Sequence, residues 1–400
     1  MWENTIKMDK VREIRGKVSV VLGNGAIEKT FDVLKEIKKN HSFHKIIIVT
    51  GRSAYKKTGA WDHVEKALKK HHISYVLFDK ISPNPTSDEV DEAVKLAIET
   101  GANGVIGIGG GSPIDAAKIV AIMTLYPEYS TSELFDSVFE PKNALPILAI
   151  NTTHGTGSET NRFAVLSIKD RNFKIGIGYE FLYPKYSIDD PKLMVSLSKG
   201  QTAYTTIDAL NHVLEACTSF LANPLVILMA KEVVRLIAKY LPQALEDGEN
   251  LQARYCLTYA AMIAGMSFDN STLHLTHALE HPMSAIKTEL PHGLGLAVLL
   301  PAVIRETYPK KAEILAEILQ PIVPDLKGLP NEAKRAAEGV KNWLISMGIS
   351  DTLTTLGIGE EKLEQLVDLV YKTPGNPLLL YCSPVPVTRD LIESIYRNSL

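Results

Sequence analysis

Cysteine is scarce in this chain: 3 of 400 residues, Cys217, Cys256 and Cys382, odd in number, far apart and without a CxxC pair. That excludes a disulfide framework and a thiolate metal site, and it points to reduced thiols serving as small buried apolar groups. A dominant charge is lacking too, with 43 Lys and Arg against 46 Asp and Glu for a net −3. No basic run resembles a nucleic-acid or membrane patch; the KKHH stretch (69–72) reads as a solvated helix end. Long apolar runs are missing as well. The longest, Gly293 to Ile304, contains Pro301 and falls well short of the roughly 20 residues that span a bilayer. Met1 to Arg15 is polar with no apolar stretch, so no secretory leader is expected there. The expectation is a cytoplasmic protein with neither nucleic acid nor membrane as a partner.

What is present suffices for two cored domains, since 45% of the residues are apolar and 22% charged. The first half alternates β-branched runs with amphipathic stretches. The runs are VSVVL (18–22), IIIVT (46–50), SYVLF (74–78), GVIGIG (104–109) and PILAI (146–150). Between them, Asp88 to Glu99 reads as a helix started by Ser87 and stopped by Gly101. Such alternation predicts a parallel sheet with helices on both faces. After SIDDP (187–191) the pattern changes to 3.6-residue periodicity, as in Asn223 to Leu241, Leu251 to Met266, Glu332 to Met347 and Glu360 to Tyr371. The expected organisation is an α/β dinucleotide-binding domain over 1–193 and an all-helical domain over 194–400.

GIGGGSPIDAAK (107–118) joins a predicted strand to a predicted helix. Ser112 suits the N-cap, Pro113 the first helical position and Asp115 the third. Gly109, Gly110 and Gly111 leave the backbone N–H groups open to a diphosphate at the positive helix end, although a tight structural turn would use the same residues. The stretch lacks the Gly-Lys-Ser/Thr of a Walker loop and the last glycine of GxGxxG. NTTHGTGSE (151–159) follows the next strand, and its Thr152, Thr153, Thr156 and Ser158 hydroxyls can face a ribose or phosphate. At the end of the second strand stand Gly51, Arg52 and Ser53, with Lys56 and Lys57 next and no acid. A carboxylate at that place favours NAD, whereas small and basic residues favour NADP(H).

The second half concentrates histidine. His274, His277, His281 and His292 fall within STLHLTHALEHPMSAIKTELPHG (271–293), with the first three spaced along one helical stripe. Asp208 and His212, four apart in TTIDALNHVLEA (205–216), suit either an intrahelical pair or a shared cation. Asp208, His212, His277 and His292 together make a three-imidazole, one-carboxylate set suited to Fe²⁺ or Zn²⁺ rather than Ca²⁺ or Mg²⁺. HALEH (277–281) also matches HxxEH, the inverted zinc-peptidase motif in which Glu280 is the base, but that reading leaves the glycine loop and Asp208 unused. A non-haem iron oxygenase and a non-catalytic dinucleotide-binding regulator are further rivals.

With these motifs assembled, the chain resembles the iron-containing (group III) alcohol dehydrogenases along nearly its whole length. GGGSPIDAAK, NTTHGTGSE, PNPT (83–86), DALNH and HALEHP followed by PHG carry the resemblance. It implies a dehydroquinate synthase-like fold with the active site between an α/β and an all-helical domain, and a homodimer. It implies metal ligands at Asp208, His212, His277 and His292, and an active-site His281 that is not a ligand. Asn84, Gly110, Gly111, Ser112, Thr152, Thr153 and Lys174 match cofactor-contacting positions. Three departures stand out: Asn151 and His154 replace a Pro and an Ala beside the nicotinamide pocket, the stretch from His281 to His292 is one residue longer, and Gly51 replaces the acid of NAD users. The expected reaction is reversible hydride transfer between a primary alcohol or aldehyde and NADP(H) at Fe²⁺, with Zn²⁺ fitting the ligands nearly as well and His281 as proton relay. An NAD-dependent member akin to lactaldehyde reductase, butanol dehydrogenase or glycerol dehydrogenase is the alternative.

Overall fold

A computed structural model describes residues 16–400; the reading of Met1 to Arg15 lies outside them. Contacts group 16–197 with 248–262 as one compact unit, and 198–247 with 263–400 as another. A single cut after residue 193 does not anticipate the return of 248–262 to the first unit.

The first unit holds eight strands: β1 (Ser19–Leu22), β2 (Lys45–Gly51), β3 (Ser74–Ile81), β4 (Gly104–Gly109), β5 (Ile147–Asn151), β6 (Phe163–Ile168), β7 (Phe173–Gly178) and β8 (Tyr186–Asp189). Six of them form one sheet in the order β1-β8-β5-β4-β2-β3, parallel at every pairing. β6 and β7 form a separate antiparallel ladder. The helices are α1 (Thr30–Asn40), α2 (Ala54–Lys57), α3 (Ala60–Lys70), α4 (Ser87–Thr100), α5 (Gly111–Met123) and α6 (Thr131–Phe135). Alternate residues of the strands feed two cores. Ile47, Val49, Val105 and Ile147 join one, and Ile46, Ile48, Ile106 and Leu148 the other. Burial on both faces explains why these strands read as unbroken apolar runs.

The strand order also fixes where a ligand goes. From β2 the chain moves outward to β3, and from β4 it moves the opposite way to β5. The carboxyl ends of β2 and β4 therefore flank the switch point, the usual place for a dinucleotide in such a sheet.

The second unit is helical: α7 (Lys199–Thr218), α8 (Pro224–Glu246), the end of α9 (Leu251–Asp269), α10 (Leu275–Ile286), α11 (His292–Thr307), α12 (Ala312–Leu319), α13 (Ala333–Ser346), α14 (Leu363–Lys372), α15 (Asn376–Tyr381) and α16 (Arg389–Arg397). From Thr206 to Thr218 every residue of α7 is buried. A helix buried all round is a central one, and its polar residues need internal partners. Gly293 lets α11 approach it: a Cβ there would meet the Tyr204 carbonyl oxygen at 1.9 Å. That approach brings the start of α11 to the turn of α7 that carries Asp208.

Candidate metal centre and dinucleotide site

Asp208 and His212 project from α7, with Asp208 Oδ1 at 3.2 Å from His212 Nε2. The same oxygen lies 3.6 Å from His277 Nε2 on α10 and 3.8 Å from His292 Nε2 at the start of α11. Donor atoms of Asp208, His277 and His292 fall within 4.8 Å of one another. Asp208 Oδ1 and His277 Nε2 are both buried without a hydrogen-bond partner. Convergent orphaned donors of this kind are what a divalent cation satisfies, so the residues fit the metal that the ligand set implies.

The electrostatics agree with tight coupling. Burial opposes the charge on Asp208, yet His212, His277 and His292 hold its carboxyl well below the usual carboxylate range. Burial likewise opposes a charge on His277, but Glu215 and Asp208 outweigh it and raise its pKa to about 9. For His212 burial wins over Asp208 and brings the pKa down to about 4.

One sequence expectation changes here. His274 does not share the helical stripe: it is the N-cap of α10, in a non-helical conformation, and its Nδ1 accepts from Leu275 N at 2.7 Å. Its Nε2 faces Thr218 Oγ1 at 2.9 Å, so it braces α10 against α7. His281 stays within the cluster, its ring centroid 5.9 Å from that of His292 and 6.2 Å from that of His277. Donor atoms of Glu280, His281 and His292 also converge, but Glu280 Oε2 is already bonded to His292 Nδ1. That bond turns Glu280 toward an imidazole, in place of the water a peptidase base would activate.

Glu215 was the residue that sequence reasoning passed over. Its Oε1 accepts from Thr276 N and His277 N, and its Oε2 meets His277 Nδ1. It thus caps the first turn of α10 from another helix. Burial pushes its carboxyl up, and His277 and His274 pull it down to about 2. The available signal was an acid in the apolar run VLEACT (213–218), three residues beyond His212.

In the α/β unit, the expected cap differs. Gly110, not Ser112, is the N-cap of α5, with no side-chain cap bond. The backbone N–H groups of its first turn are therefore not taken by a capping side chain. Asp115 does not cap either: its carboxylate accepts from Ser158 Oγ and from Val165 N at 3.0 Å, tying α5 to β6. Lys118 continues that tie, donating to the Ser158, Asn161 and Phe163 carbonyls. Both Asp115 oxygens thus have partners within the protein. Ser112 is half-buried in the first turn of α5.

The two loops named from the sequence meet. A Cβ on Gly110 would sit 2.8 Å from Thr153 Oγ1, and one on Gly111 would sit 2.4 Å from Thr156 Cγ2. Only glycine allows the threonine loop so close to the helix start. Thr152 is buried there, its N–H on the Gly109 carbonyl at 3.0 Å. Gly51 ends β2, and Arg52 and Ser53 after it are exposed. Asn84 is buried past the end of β3 with φ +54°. Lys174 is buried in β7, opposite Ser167. His154 turns away from the role considered for it: it is fully buried, and its Nε2 accepts from Arg254 Nη1 at 2.8 Å. Burial and that guanidinium lower its pKa to about 3, keeping the acceptor nitrogen bare.

Among the described residues no helix is long and apolar enough to cross a membrane. Residues 18–191 match the model of the iron-containing alcohol dehydrogenases, and residues 202–400 match that of the C-terminal part of the same family. The long-chain primary alcohol dehydrogenase AdhA of Thermoanaerobacter ethanolicus is 52% identical over 399 residues, covering 100% of both chains. The NAD-dependent methanol dehydrogenase of Bacillus methanolicus is 31% identical, covering 95% of this chain and 97% of its own. The solved NADH-dependent butanol dehydrogenase A of Thermotoga maritima superposes with a TM-score of 0.89 at 30% identity, covering 98% of each chain. The chain belongs to the iron-containing alcohol dehydrogenase family.

Proposed function

We propose that this enzyme interconverts primary alcohols and aldehydes with NADP(H), and that Asp208, His212, His277 and His292 hold its metal. The converging, unpartnered Asp208 Oδ1 and His277 Nε2 carry the reading. A bound divalent ion supplies Lewis acidity, which lowers the pKa of an alcohol and polarises a carbonyl. Asp208 contributes the anionic donor, and the three imidazoles contribute neutral ones. On the α/β unit, Gly110 and Gly111 open the start of α5 to a diphosphate, and Thr152, Thr153 and Thr156 line the adjoining loop. Asn84, Ser112 and Lys174 are proposed as further cofactor contacts. His281 is proposed to carry the proton to or from the substrate oxygen, a task for which an imidazole, both donor and acceptor, is chemically suited. Metal identity is Fe²⁺ on this reading, as the family's name suggests, with Zn²⁺ chemically acceptable. The relative at 52% identity is named for long-chain primary alcohols, which makes such alcohols the first substrates to try.

The phosphorylated cofactor is supported by the end of β2, where exposed Arg52 and Ser53 follow Gly51 and Lys56 and Lys57 come next. Asp79 is occupied by the Tyr55 hydroxyl at 3.1 Å. An NAD-dependent enzyme is the second reading, favoured by the relatives named for NAD and NADH. One preparation tests all of this. Metal analysis should give about one divalent ion per chain, and aldehyde reduction should run at higher kcat/KM with NADPH than with NADH. Arg52→Ala should raise KM for NADPH and leave that for NADH unchanged. Equal or better use of NADH by the wild type overturns the cofactor assignment. In the same assay His281→Ala should lose the pH dependence of kcat, and an unchanged profile removes His281 from the proton path.

A further inference from the structure

The geometry points to Glu215 and Glu280 as positioning residues, each fixing one imidazole of the metal centre from a neighbouring helix, so that the ligand array is set before the ion arrives. The inference rests on the metal reading above and concerns residues outside the ligand set. Glu215 stands on α7 and holds Nδ1 of His277 on α10. Glu280 stands on α10 and holds Nδ1 of His292 on α11. The three helices are thus stitched in sequence by carboxylate–imidazole bonds. Each bond places a proton at Nδ1 of its ring and turns Nε2, the nitrogen left for a metal, toward Asp208 Oδ1 at 3.6 and 3.8 Å. An outer carboxylate of this kind fixes tautomer and ring plane and makes the ligand nitrogen a better donor.

Both carboxylates are themselves anchored. Glu215 accepts two backbone N–H groups of α10, and Glu280 Oε1 accepts from Ser284 Oγ one turn on. Glu280 is 0% exposed and Glu215 is 2% exposed, so neither is a surface acid that happens to lie near a histidine. His212 is the contrast: its Nδ1 has no hydrogen-bond partner. Its ring is instead stacked on His277, with centroids 4.9 Å apart and planes at 14°, and packed against Phe268 at 4.6 Å. At Nδ1, therefore, two imidazoles are held by carboxylates, whereas the third rests against neighbouring rings. The Glu of HALEH, which suggested a peptidase base, has a structural use that explains its place one residue before His281.

Co²⁺ titration of the metal-free protein, followed by its visible absorption, tests this without turnover. Glu280→Ala should weaken Co²⁺ binding by about 10- to 100-fold and shift the ligand-field bands. Glu280→Gln keeps an acceptor oxygen for Nδ1–H and should fall between Ala and wild type. Glu215→Gln should behave likewise at His277. Wild-type Co²⁺ affinity and spectrum in Glu280→Gln and Glu280→Ala would overturn the inference, even if their unfolding midpoints fell. Should the Ala variant not fold, Glu280→Gln decides alone, by a weakened or an unchanged affinity. Wild-type protein that takes up no Co²⁺ would instead defeat the metal reading itself, so the two failures are distinct.

Discussion

Glu159 lies in the conspicuous threonine loop but has no ligand role to explain it. Both of its carboxyl oxygens are buried without a hydrogen-bond partner, as is Asp189 Oδ2 at the end of β8. Burial raises the pKa of Glu159 well above the usual range, and the Asp189 carboxyl raises it further. Asp189 is raised by burial in turn. Buried and repelled in this way, the two acids hold their protons to higher pH than free carboxyls do. The sign follows from linkage: the folded pKa values exceed the unfolded ones, so the folded protein binds more protons and loses stability as pH rises. Stability from this pair is fully present below about pH 4, where unfolded carboxyls ionise, and declines through neutrality. Glu159→Gln, isosteric and uncharged, should remove much of that decline. Urea unfolding at pH 5 and pH 8 checks it: the variant should gain on the order of 1–2 kcal/mol over wild type at pH 8 and little at pH 5. Equal effects at both pH values would mean that Glu159 does not hold a proton into this range.

Elements were legible in proportion to how local their cause is. β2, β4 and β5 showed as runs because each buries both faces in a parallel sheet, whereas the edge strands β1 and β3 are only part-buried and showed through their β-branched and aromatic residues. β6, β7 and β8 did not: FKIGIG is interrupted by glycine, and YSID is short and polar. Helix α4 was found, but its cap is Thr86, closed by Glu89 in a capping box, one residue before the Ser87 expected. The N-terminus of α10 was beyond reach, since its first-turn N–H groups are satisfied by His274 and by Glu215, 61 residues before Thr276. Metal-ligand candidates were visible as residue types at helical spacing, whereas the carboxylates behind them act across helices. Gly293 belongs to the same lesson: it sits inside the PHG motif, yet its reason is the Tyr204 carbonyl on α7. Gly293→Ala should force α11 away from α7, costing roughly 1–3 kcal/mol as overpacking does. The displacement moves His292 from Asp208, so metal content should fall together with the urea midpoint. Full metal content in a destabilised variant would show that the helix contact and the ligand array are independent.

At the scale of the whole molecule, the division of labour is between units. Every proposed ligand of the metal, with Glu215, Glu280 and His281, lies in 198–247 and 263–400, whereas every proposed dinucleotide contact lies in 16–197. Alternation in the first half and 3.6-residue periodicity in the second made those two classes legible. The return of 248–262 was not, because its ties are non-local: the buried Arg254 donates to His154 Nε2, 100 residues earlier, at 2.8 Å. His154, which looked like a change to a cofactor pocket, is the acceptor that lets Arg254 be buried. The segregation makes a prediction that activity cannot. An ion that binds only the native state stabilises it by about 2.7 kcal/mol at 100 times its Kd, and the gain resides where the ligands are. Stripping the metal with a chelator should therefore lower Tm and speed amide exchange in α7, α10 and the start of α11, while β2, β4 and β5 keep their protection. Adding NADPH to the stripped protein should do the reverse, slowing exchange around Gly51–Ser53 and Gly110–Ser112 first. Metal-dependent protection in the sheet, with none in α7 and α10, would place the ion elsewhere. Protection of both sets by either ligand alone would show instead that the two units are energetically one, because only coupled folding carries stabilisation from a site into a unit that does not touch the ligand.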